Sequence, residues 1–119
     1  MMTEEQEHYK KLLKEIQRQN FELYQIERKK ILGDKSYQSQ EENYINQLRQ
    51  SDLINRIESY VEDKVYKYPV LVRMIVHAGY YFGINLLQVL KGRLDQKILI
   101  QVKQFLAEMN GANSCLMLV

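Results

Sequence analysis

The stretch from Pro69 to Leu90, PVLVRMIVHAGYYFGINLLQVL, decides the fold. It is the one long block that is apolar on most sides, and it opens on the single proline of the chain. From Val70 to Leu90 the polar positions are Arg73, His77, Asn85 and Gln88, with Tyr81 closing the gap between His77 and Asn85. Steps of three and four place them on one narrow stripe of a helix. A helix that is apolar except for one thin stripe reads as a central core helix with neighbours on most of its surface.

Upstream, two longer amphipathic segments precede it. Thr3 followed by Gln6 is a capping-box pattern, with Glu4, Glu5 and Glu7 in the first turn. Tyr9, Leu12, Ile16, Leu23 and Ile26 keep a 3-4 spacing interrupted at Gln19, a coiled-coil-like stripe that Gly33-Asp34 brings to an end. A second helix starts between Ser36 and Ser39 and runs towards Tyr66, with Tyr44, Leu48, Ser51, Ile54, Ile57, Val61, Val65 and Tyr68 as its stripe. Ser51-Asp52 reads as a polar patch within that helix rather than a break. Pro69 then stops it, because proline restricts the residue before it and lacks a backbone donor.

Downstream, Lys91-Gly92-Arg93 is a stop and turn, and Asp95 is placed to cap a last helix. Ile98, Val102, Phe105 and Met109 form its inner face, and Asn110-Gly111 closes it. The expected fold is all-α: a single domain of four helices. Residues 1–68 form a long N-terminal αα-hairpin, 69–111 the central and C-terminal helices, and 112–119 an apolar tail.

Composition bounds the function. The 119 residues are 45% hydrophobic and 27% charged, the balance of one soluble globular domain. A net charge of +2 is too weak for a dedicated nucleic-acid binder, although Lys10, Lys11, Lys14 and Arg18 share part of helix one with Glu15 and Glu22 between them. One cysteine, Cys115, allows no intrachain disulfide and fits a reducing, cytoplasmic compartment, with a nuclear one as the alternative. The acidic N-terminus carries no secretory signal. The CLMLV ending has its cysteine fifth from the end, so it is not a prenylation box.

Chemistry-bearing motifs are absent. No nucleophile elbow, Walker loop or G-x-G-x-x-G occurs, so no catalytic residue and no cofactor are assigned. Glu5 and His8 make a single E-x-x-H step, but a di-metal bundle needs a second one, so no metal is expected. The central segment has the length of a membrane span, and Gly79 and Gly83 form a GxxxG step. Arg73 and the other polar positions inside it argue against a membrane. In a soluble fold the two glycines mark a tight helix crossing, within the chain or at a dimer seam.

The runs LYQIERKKILGDKSY (Leu23 to Tyr37) and DLINRIESYV (Asp52 to Val61) resemble the coiled-coil region of the small helical subunit of MYST-type histone acetyltransferase complexes. Arg56 stands where that family has glycine, Ile57 replaces its aromatic residue, and the spacing between the segments is longer. The resemblance covers about a third of the chain, and it is not taken as membership.

Nine tyrosines and no tryptophan suit half-buried helix seams and protein interfaces. The expected function is therefore a non-catalytic protein–protein interaction module, a small adaptor, inhibitor or complex subunit that binds through helix faces. A helical nucleic-acid-associated factor or a subunit of a chromatin-modifying complex is the alternative, and a membrane-anchored subunit comes third. Helices three and four look too short to cover the stripes of the first two, which implies a homodimer or a hetero-complex. The expected interface residues are Leu12, Ile16, Leu23, Tyr24, Ile26, Tyr44, Leu48, Ile54 and Ile57, with Gly79 and Gly83 at the tight crossing.

Overall fold

A computed structural model describes residues 3–64, 69–92 and 96–117, with side chains described at 3–60, 70–92 and 96–111. It is all-helical, with no strand among the described residues. Five helices follow in order: α1 (Glu4–Leu32), α2 (Tyr37–Arg49), α3 (Leu53–Lys64), α4 (Pro69–Leu90) and α5 (Gln96–Met117).

Helix α1 starts where its first turn finds hydrogen-bond partners. The Thr3 side chain accepts from the Gln6 N–H at 3.2 Å, and the Gln6 side chain accepts from the Thr3 N–H at 3.1 Å. It stops at Gly33, whose φ of 76° is the left-handed conformation that lets its N–H turn back to the last carbonyls. At 1.5 Å per residue the 29 residues of α1 span roughly 43 Å, which sets the 45 Å long axis of the molecule.

Helix α2 folds back along α1. Lys29 Nζ donates to Gln40 Oε1 at 2.8 Å, and Lys30 Nζ meets the Glu41 carboxylate at 2.7 Å. Helix α3 continues in the same direction, with Arg56 donating to Glu15 at 2.6 Å and the Tyr60 ring 3.9 Å from that of Tyr9. The sequence led us to expect one continuous helix here, and that expectation is corrected. The N–H groups of Gln50 and Ser51 close tight turns onto Gln47 and Leu48, and the Ser51 hydroxyl accepts the Leu53 N–H at 3.1 Å. Serine and aspartate compete locally for backbone groups, so Ser51-Asp52 ends one helix and opens the next.

Helix α4 packs between α1, α3 and α5. Its buried side carries Val72, Ile75, Val76, Phe82, Leu86, Val89 and Leu90. It lies parallel to α1, since Leu13 and Gln17 line a groove with residues 73–78 while Asn20, further along α1, reaches Ala78 and Asn85. Helix α5 returns antiparallel to α4, setting Phe105 and Met109 beside Gly79 and Phe105 and Leu106 beside Gly83. The expected stop at Asn110-Gly111 is also corrected. Gly111 is not in the left-handed region, and α5 continues through it to Met117. The capping role assigned to Asp95, the stripe positions Val61, Val65 and Tyr68, and the side chains of the CLMLV ending lie outside the described residues.

Candidate interaction surface

Nine of the eleven residues expected at an interface are in the interior of the single chain. Leu12, Ile16, Leu23, Ile26, Tyr44, Ile54 and Ile57 are core side chains, and Gly79 and Gly83 are buried. The reason lies in helix length and direction. Helices α4 and α5 have 22 residues each, and α4 lies parallel to α1, so the chain covers its own stripe. Leu48 is half-buried, and Tyr24 alone of the eleven is exposed. The glycine crossing is intramolecular. A Cβ on Gly83 would stand 2.7 Å from Leu106 Cδ2 and 2.9 Å from Phe105 Cε1.

Apolar surface is exposed elsewhere, on the side of α1 and α4 turned away from the core. On α1, Lys10, Lys14, Gln17, Phe21, Tyr24, Arg28 and Ile31 succeed one another at steps of three and four, so they form a single row. All are exposed, Ile31 at 82% and Tyr24 at 58%, and Leu32 widens the row at its end. On α4 the matching row is Val70, Met74, His77 and Tyr81, flanked by Arg73. The His77 and Tyr81 rings meet edge to face, with centroids 5.2 Å apart. Between the rows runs an apolar groove lined by Leu13, Gln17, Arg73, Met74, His77 and Ala78.

Charge is distributed unevenly around α1. On the side facing α2 and α3 the acids have partners: Glu15 pairs with Arg56 at 2.6 Å and Glu41 with Lys30 at 2.7 Å. On the outward side Lys10, Lys14, Arg28 and Arg73 have no acidic partner among the described residues. Helix α4 contains no aspartate or glutamate at all. From Lys10 onward the outward row of α1, with the facing row of α4, is therefore apolar and basic together, Glu7 lying one turn before it.

Of this surface only Tyr24 was among the residues expected at an interface; Phe21, Ile31, Leu32, Val70 and Met74 were not. The signal was available on α1. Those residues fall off the Leu12–Ile16–Leu23–Ile26 stripe and, on a helix, come out on its opposite side.

The segment Val70–Leu90 is long and apolar enough to cross a membrane, by length and composition alone. Among the described residues no group of three or more His, Cys, Asp or Glu side chains is placed to hold a metal ion. No protein-family model matches the chain, and no curated protein and no solved structure matches it either.

Proposed function

We propose that the chain is a non-catalytic protein–protein interaction module, a small helical adaptor, inhibitor or complex subunit of the cytoplasm. The observation that carries this reading is the pair of exposed rows, Phe21, Tyr24 and Ile31 on α1 and Met74 and Tyr81 on α4, large apolar side chains with Lys10, Lys14, Arg28 and Arg73 on the same rows or flanking them. A surface of that kind marks a binding site for another macromolecule. Aromatic side chains, methionine and arginine are the residue types enriched where proteins meet.

The partner is a different protein rather than a second copy. The stripes that suggested a homodimer are core, and pairing the outward face with itself would set basic groups against basic groups. Light scattering at micromolar concentration tests this choice. A 14.3 kDa monomer is the expected result, and a stable dimer would return the face to a second copy. Affinity capture from native extract tests the reading itself, which fails if no protein is retained above a mock-coupled matrix.

One observation favours the nucleic-acid reading as the alternative. Lys10, Lys11, Lys14 and Arg18 are all exposed, and the Glu15 carboxylate between them is engaged by Arg56. Titration of a DNA or RNA duplex at several salt concentrations separates the two. A log–log slope of several units would favour nucleic acid.

A further inference from the structure

We infer that the groove between α1 and α4 at Met74 docks an acidic amphipathic helix of the partner protein. The inference rests on the interaction-module reading and adds the site and the chemistry of the occupant. The groove has an apolar floor, Leu13 and Ala78, and Met74 stands in its wall with 46% of its surface exposed. A shallow groove between two parallel helices receives the ridge of side chains that a third helix presents at i, i+3, i+4 and i+7. Methionine is unbranched and polarisable, so it adapts its shape to such a ridge.

Charge selects the occupant. Arg73 lines the groove, and Lys14 and Lys10 lie one and two turns before Gln17 along α1, past the end of its lining. None of the three has an acidic partner among the described residues. A helix with an apolar ridge and carboxylates along its flanks would satisfy them while filling the groove. A second copy brings the same cations and is repelled. Nucleic acid would match the cations but leave the floor and Met74 unfilled, whereas specific nucleic-acid sites are polar and dense in positive charge.

The probe is a designed, fluorescein-labelled helix of about six turns, with leucine at heptad core positions and glutamate elsewhere. Its control carries lysine at every glutamate position. Anisotropy with the full chain at about 50 mM salt should show the acidic helix bound at least about tenfold more tightly than the control. The preference should shrink at about 200 mM salt. Arg73→Glu and Met74→Glu should each weaken the acidic helix at least about fivefold, with the circular dichroism of the chain unchanged. Both positions are exposed, and if Met74→Glu perturbs the fold, Arg73→Glu alone decides.

Equal affinity for the two helices, or no effect of Arg73→Glu, overturns the inference. Tighter binding to phosphatidylserine-containing vesicles, or to a DNA duplex, than to the acidic helix also overturns it and assigns the face to lipid or nucleic acid. A partner captured from extract equally well by wild type and by both variants removes this groove as the site and leaves the interaction-module reading standing. Capture of nothing by wild type removes that reading first.

Discussion

Asn85 donates from Nδ2 to Asn20 Oδ1 at 3.2 Å, and Asn20 in turn donates from its own Nδ2 to the Ala78 carbonyl at 2.9 Å. This chain of two bonds spans the seam of α1 and α4, where apolar contacts alone would tolerate a slide along the helix axes. A polar pair in an apolar seam fixes register, because any slide leaves its donors unsatisfied. Asn20→Ala is expected to destabilise the fold by about 1 kcal/mol. In a double-mutant cycle with Asn85→Ala, urea unfolding should show the two changes to be non-additive by at least about 0.5 kcal/mol. Strict additivity would show that the two side chains do not act as a unit.

The two glycines of α4 should respond in opposite directions. A Cβ on Gly79 would meet Ile57 Cγ2 and Phe105 Cζ at 3.4 Å, ordinary contact, so Gly79→Ala gains helix propensity of up to about 1 kcal/mol. A Cβ on Gly83 would press at 2.9 Å on the Phe105 ring, which is fully buried and has no room to retreat. Gly83→Ala should therefore destabilise by about 1–2 kcal/mol net of that gain. Thermal melts that rank Gly83→Ala at or above wild type would contradict the crossing of α4 and α5.

Glu41 is a charged side chain only 5% exposed, and the Lys30 ammonium 2.7 Å from it compensates the buried carboxylate. Lys30→Met removes this ammonium and leaves the buried carboxylate in place. The expected loss is about 1–3 kcal/mol, and adding Glu41→Gln should recover part of it. Chemical denaturation of the two variants checks this, and a double variant less stable than Lys30→Met would be inconsistent with the pairing.

Tyr44 supplies a pH-dependent test. Its hydroxyl is buried with no hydrogen-bond partner among the described residues, and burial first, then the nearby Glu22 charge, push its ionisation well above the ordinary tyrosine value of about 10. The folded chain thus holds a proton that the unfolded chain gives up, so the contribution of Tyr44 is complete below about pH 10 and falls as pH rises above it. Tyr44→Phe removes both the unsatisfied hydroxyl and this titration. It should be as stable as wild type or more so at pH 7, and it should unfold at higher pH in an alkaline titration followed by circular dichroism. An unchanged alkaline midpoint would place the hydroxyl in water.

Local rules carried far in this chain. The Thr3–Gln6 capping box, the left-handed Gly33 and the burial of Leu12, Ile16, Leu23 and Ile26 follow from residue type and spacing, which depend on neighbours a few positions away. The break at Ser51 was not legible, because Leu48, Ser51 and Ile54 keep helical spacing straight through it and a local hydrogen bond decides the matter. Nor was the destination of the α1 stripe. Periodicity says that a face is buried, whereas what buries it is settled by which helix returns alongside, here α4. Beyond Tyr24 the outward face went unread for a related reason: Phe21 is one more apolar residue of α1 until the core is known to lie on the other side.

Photo-crosslinking in native extract, with benzoylphenylalanine placed singly at Tyr24, Tyr81 and Gln104, tests most directly whether partners bind the outward face of α1 and α4. All three positions are exposed, and Gln104 is on α5, away from that face. Discrete adducts to one heterologous protein should form from Tyr24 and Tyr81 and not from Gln104. Adducts from Gln104 alone, or the same pattern from all three, would contradict the account.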